Sequence, residues 1–149
     1  MIDFEIHPLI GVGAIEFGMT PSQVAYLIGP PDDFEVDESN NERREFRREN
    51  GLQAVYSENR GLVELGFSRN ISELCFYGKA VFSLPELDVI NQIIDADNHP
   101  YFLLGFVVFL SLGITLTGFH DENEDQKAVT VFEKGRWDSM KANMKPFKL

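Results

Sequence analysis

RREFRRENGLQAVYSENRGLVELGFS, residues 43–68, reads as three strands joined by two turns. In its last third Val63, Leu65 and Phe67 alternate with Glu64, Gly66 and Ser68, the period of a strand with one buried and one wetter face. Asn50-Gly51 is a two-residue hairpin signal, because both residue types accept positive φ. Glu58-Asn59-Arg60-Gly61 supplies the next turn. Strands are predicted near 43–49, 52–57 and 62–68. The thirteen phenylalanines of the chain suit such a sheet, since aromatic rings fill the half-buried surface of a pleated strand.

Toward the N-terminus, residues 3–7 and 14–17 read as short extended pieces. Thr20 then caps a helix, Pro21 takes its first position, and Gln23 completes a capping box. Val24, Leu27 and Ile28 give the apolar stripe. Gly29 and Pro30-Pro31 stop the helix, which is placed near 20–29. Residues 32–42 are acidic and read as an exposed loop or arm. Toward the C-terminus, residues 73–82 read as extended, and Ser83 with Glu86 forms a second capping box that opens a helix ending near Asp95. Strands follow near 101–104, 106–112, 114–119 and 127–134. Residues 101–119 carry no charge, yet their glycines and the alternation Leu112, Ile114, Leu116 favour two strands bent at Gly113 over a membrane span.

The order of signals recurs. Thr20-Pro21 and Ser83-Leu84-Pro85 open the helices about 63 residues apart, and each helix is followed by a hairpin, a polar turn and a closing strand. The fold expected is α+β: two tandem helix-plus-antiparallel-strand repeats forming one sheet with helices on one face. Residues 1–149 make a single domain, with repeats at about 10–70 and 71–137 and a tail over 138–149.

Ile15-Glu16-Phe17-Gly18-Met19-Thr20-Pro21-Ser22-Gln23-Val24, closing on Leu27-Ile28-Gly29-Pro30, resembles the opening of the small modules found in outer-membrane lipoprotein assembly factors and in the β-lactamase inhibitor protein family. The resemblance covers roughly 16 residues well and implies a module that packs helix against a short antiparallel sheet, used in tandem by the inhibitor, with a bias toward protein binding. The single cysteine, Cys75, cannot supply the paired cysteines of the secreted inhibitor. Only the fold and the binding bias carry over.

Chemistry is sparse. Cys75, between Leu74 and Phe76, reads as a small buried residue. His7, His99 and His120 have no metal-ligand spacing. Asp121, Asn123 and Asp125 imitate the start of a calcium loop, but Gln126 stands where glycine is needed and Phe132 where glutamate is needed. Gly11-Val12-Gly13 lacks the rest of a phosphate-binding fingerprint. No catalytic machinery, metal or cofactor is expected. The opening Met1-Ile2-Asp3-Phe4-Glu5 is not that of a signal peptide, so a cytoplasmic protein is expected.

A formal charge of −11 repels nucleic acid and anionic membranes and favours basic partners, or serves only solubility. The function expected is a non-enzymatic protein-binding module, in its concrete form an immunity protein that neutralises a basic toxin domain. A structural or assembly adaptor, or a small-ligand-binding protein, are the alternatives. Contacts are assigned to the acidic stretch Asp32, Asp33, Asp37 and Glu38, to the turn Glu122, Glu124 and Asp125, and to Gln53, Val55 and Glu64 on the open sheet face. Arg43, Arg44, Arg47 and Arg48, interleaved with Glu42, Glu45 and Glu49, read as neutralisation within an edge strand.

Overall fold

Alternation and turn residues dominate the chain, and strands follow from them. The computed structural model describes residues 4–149, so Asp3 of the first expected extended piece lies outside the described residues. β1 (Ile6–His7), β2 (Gly11–Val12) and β3 (Ile15–Glu16) form a small antiparallel sheet ahead of helix α1 (Pro21–Ile28). β4 (Asp33–Asp37), β5 (Glu42–Arg47), β6 (Leu52–Ser57) and β7 (Gly61–Ser68) then run as an antiparallel meander. A two-stranded hairpin of β8 (Cys75–Phe76) and β9 (Lys79–Ala80) precedes α2 (Glu86–Asp97). A second meander follows in β10 (Tyr101–Leu103), β11 (Phe106–Phe109), β12 (Ile114–Thr117) and β13 (Ala128–Phe132). β14 (Lys145–Pro146) pairs with β10. The meanders meet through β7 and β13, with Leu65 opposite Val131. The result is a nine-stranded sheet in the order β14-β10-β11-β12-β13-β7-β6-β5-β4. The architecture is mixed α and β, mostly antiparallel sheet with few helices.

One sheet face is the core. Leu52, Ala54, Tyr56, Leu65, Phe67, Leu116, Val129 and Val131 share a single buried cluster with Val24 of α1 and with Val89, Ile90 and Ile93 of α2. A bulge adjusts the register. Val55 opposes Glu64 while Tyr56 opposes Leu62, so Val63 is the extra residue, and both Leu62 and Val63 are buried. A smaller cluster on Leu103, Val108 and Phe132 is covered by Trp137, Met140 and Met144. The tail therefore docks, through a 3-10 turn at Asp138–Asn143 and then β14.

Several expectations need correction. The acidic stretch after α1 is no loop, because residues 33–37 pair with β5 as the last strand of the sheet. The connection at Asn50-Gly51 is four residues long, from Arg47 to Leu52, with Gly51 at φ 64. The stretch 73–82 holds only the two short strands β8 and β9. Cys75 is half-buried, and its thiol donates to the Glu73 carbonyl. The box at Thr20 forms as expected, with Gln23 N donating to Thr20 Oγ1 and Thr20 N to Gln23 Oε1. The one at Ser83 does not: α2 starts at Glu86, after Pro85, without a side-chain cap, and runs to Asp97 before Asn98 turns left-handed at φ 71. The uncharged run 101–119 is divided among three strands, and no helix among the described residues is long and apolar enough to cross a membrane.

The start of α2 is tied down by charge instead. Glu86 Oε1 accepts from Lys127 Nζ at 3.0 Å, and the Lys127 ammonium sits over the Phe119 ring. Hydrogen bonding from its own backbone N–H, then from Lys127, draws the Glu86 carboxyl down to about 2. A carboxylate with a lowered folded pKa stabilises fully above its unfolded value and loses that contribution as pH falls toward the folded one. Glu86→Gln should therefore lower the melting temperature at neutral pH. The gap to the parent protein should close between about pH 5 and about pH 2 in a calorimetric series.

Candidate binding face

The face of the sheet opposite the helices carries the other half of each alternation. Gln53 opposes Gly66, Gly66 opposes Thr130, and Thr130 opposes Thr115, a row across four strands. Gln53, Gly66 and Thr130 of this row floor a groove of about 490 Å3, walled by Leu104 and Phe106 on one side and by Arg44 on the other; Thr115 is buried outside it. Ser68, Thr117 and Gln126 add hydroxyl and amide groups. Arg44 Nη1 donates to Gln53 Oε1 at 3.0 Å, and Thr117 Oγ1 donates to the Gln126 carbonyl.

Two residues of this groove are chosen against local preference. Eleven of the twelve glycines sit at positive φ; Gly66 does not. A Cβ built on it would meet nothing closer than the Gln53 Cβ at 3.7 Å, an ordinary contact. Glycine weakens a strand interior, and neither backbone angle nor crowding requires it here, two residues from the β6–β7 bulge. Leu104 is 87% exposed at φ 49, in the two-residue turn with Gly105 between β10 and β11. A bulky side chain in the left-handed region costs about 1–2 kcal/mol, and asparagine or glycine is the residue such a turn prefers.

A buried charge network fixes the rim. Glu64 Oε1 accepts from Arg136 Nε at 2.9 Å and from Trp137 Nε1 at 3.0 Å, and Arg136 Nη1 donates to Glu42 Oε2 at 2.7 Å. Burial alone would ease the proton off Arg136; bonding to Glu42 and pairing with Glu64 overcome this and raise its pKa further. Beneath the sheet, burial and the nearby Glu45 push the Tyr56 phenol up to about 12, so it stays protonated through neutral pH. Its hydroxyl has no hydrogen bond within bonding geometry, although the Arg47 guanidinium lies close enough to moderate the shift.

The expected contact residues fall in three places. Gln53 is exposed on the groove floor. Val55 and Glu64 share its face but not its accessibility: Val55 is 1% exposed and Glu64 is clamped by the tail. Asp32, Asp33, Asp37 and Glu38 are exposed along and beside β4. Asp32 Oδ2 accepts from Arg48 N, and Asp37 Oδ1 accepts from Ser39 Oγ, the chief reason its carboxyl is held below the usual range. Glu122, Glu124 and Asp125 lie exposed between β12 and β13, where Arg69 and Lys127 already pair with Glu124, and Arg69 with Asp125. Four strand spacings separate β4 from β13, about 19 Å, so the two acidic groups do not converge. Of the arginines, Arg43 pairs with Glu45 and Arg47 donates twice to the Gly29 carbonyl at the end of α1.

Sequence reasoning missed Gly66, Leu104 and the Arg136 clamp. Gly66 was legible as a glycine inside a strand pattern; Arg136 bonds partners 72 and 94 residues away and left no local trace. Among the described residues no three His, Cys, Asp or Glu side chains are grouped to hold a metal ion. Compared with protein families, with curated proteins and with solved structures, the chain matches none.

Proposed function

We propose that the protein is a non-enzymatic protein-binding module that receives a partner in the groove over Gly66. The observation that carries this reading is Gly66 itself: a destabilising residue at mid-strand, on the groove floor, with no backbone reason to be glycine. The strained, exposed Leu104 on the groove wall supports it, because a large apolar side chain in that turn serves contact rather than folding. The net charge of −11 favours a basic partner and speeds its encounter, in keeping with an immunity-type protein that caps a toxin domain. The mirrored order of the two meanders about the β7–β13 seam supports tandem units at about 10–70 and 71–137.

The test is comparative affinity capture from native cells, with identification of what is retained. Gly66→Val should leave the fold intact, since valine suits a strand and its Cβ would make only an ordinary contact with the Gln53 Cβ, and should abolish retention of the specific partner. Leu104→Asn should raise stability by about 0.5–1 kcal/mol while weakening capture, a separation of stability from function. A basic toxin domain retained by the parent protein and lost from both variants supports the reading. A partner retained equally by all three proteins refutes the groove.

A further inference from the structure

We infer that β4 is a second docking site, independent of the groove, which adds an extended segment of alternating basic and apolar residues as a tenth strand. β4 ends the nine-stranded sheet, and all five of its residues are exposed. Edge strands are normally short, bulged, charged or covered, because an open row of peptide groups recruits other chains, and the carboxylates of β4 bar any strand that does not bring positive charge. This one is five residues long, pairs with β5 in unbroken register, and exposes Phe34 at 51% and Val36 at 56%.

Its backbone and its two faces specify the occupant. Phe34 N donates to Asp33 Oδ1 at 2.8 Å, so that N–H is turned from β5 and met only by its neighbour's carboxylate. By the alternation of a strand, the peptide groups of Phe34 and Val36 form the open edge. One face presents Asp33, Glu35 and Asp37. The other presents Phe34, with the Arg43 guanidinium 3.9 Å above its ring, and Val36. Val36 borders a cavity of about 640 Å3 between the start of α1 and the β6–β7 turn, lined by Pro21, Tyr56, Asn59 and Arg60. An added strand would place alternate side chains on the same two faces. On one they meet carboxylates; on the other an apolar side chain beside Val36 enters the cavity. A second copy of this chain fits poorly. Antiparallel pairing centred on Glu35 sets Asp33 against Asp37, and like charges directly opposite destabilise a strand pair. The partner is therefore a different chain, with lysine or arginine at every second position.

The probe is a short synthetic peptide of alternating lysine and leucine, titrated into isotope-labelled protein by NMR. Amide shifts should concentrate at residues 33–37, and binding should weaken several-fold as salt is raised. Methylating alternate backbone nitrogens of the peptide, which removes the ladder bonds and keeps every side chain, should cost tenfold or more in affinity. The Asp33→Asn, Glu35→Gln double variant should bind about fivefold more weakly, while Gly66→Val should bind as the parent protein does. Equal binding of the methylated peptide, or shifts centred away from residues 33–37, would overturn the inference. Neither outcome bears on the groove.

Discussion

Arg136→Ala is expected to lower the unfolding free energy by about 3–5 kcal/mol, the cost of breaking a largely buried ion pair from one side. Glu64 would keep its place under the tail with its charge unmet, and Glu42 would lose its two bonds from the same guanidinium. The side chains of Arg136 and Glu64 are only 15% and 12% exposed, so water does little to replace the lost partner. The tail should loosen with it, because Trp137 shares the Glu64 carboxylate and stacks on Phe132. Urea unfolding followed by Trp137 fluorescence reads both effects. The double variant Arg136→Met, Glu64→Leu should recover only the part of the loss that comes from Glu64, since Glu42 still lacks its partner and Trp137 Nε1 its acceptor. A loss below about 1 kcal/mol for Arg136→Ala would place the pair with ordinary surface bridges and would mean that the tail docks on its apolar contacts alone.

Leu65→Ala is expected to cost about 2–5 kcal/mol and to destabilise both meanders together. Leu65 is fully buried on β7 and faces Val131, also fully buried, across the strand pair that joins the two halves of the sheet. The side chain removed thus belongs to both halves. For a chain of this size the loss corresponds to roughly 4–20 °C in melting temperature. Trp137 reports on the second meander and far-ultraviolet circular dichroism on the whole molecule; the two transitions should coincide in the parent protein and in the variant. Separate transitions would show that the meanders fold as independent units.

What could be read from the chain depended on how local each signal was. The box at Thr20 was legible because proline follows the cap directly, and a residue before proline is extended, as an N-cap should be. At Ser83 the same letters mislead. Leu84 separates the serine from Pro85, and proline pushes Leu84 out of the helical region, so the helix waits until Glu86. β4 was hidden by its charge, although Asp33-Phe34-Glu35-Val36-Asp37 alternates with period two; three carboxylates drew the reading toward a solvated loop. The side of the sheet that carries Gln53, Val55 and Glu64 followed from alternation alone. Whether Glu64 is open did not, because that depends on a chain segment more than seventy residues away.

The two ends of the sheet are unequal, and this sets the valence of the molecule. One end is β4, five exposed residues in regular register. The other is β14, two residues of which one is a proline, pinned beside the turn at Asp138–Asn143. Proline has no N–H to offer a neighbouring strand, so growth at that end stalls. A strand added at β4 finds no matching acceptor at the opposite end of the next copy, and head-to-tail stacking into a filament is blocked. With β4 as the docking edge inferred above, the sheet would take one added strand per molecule.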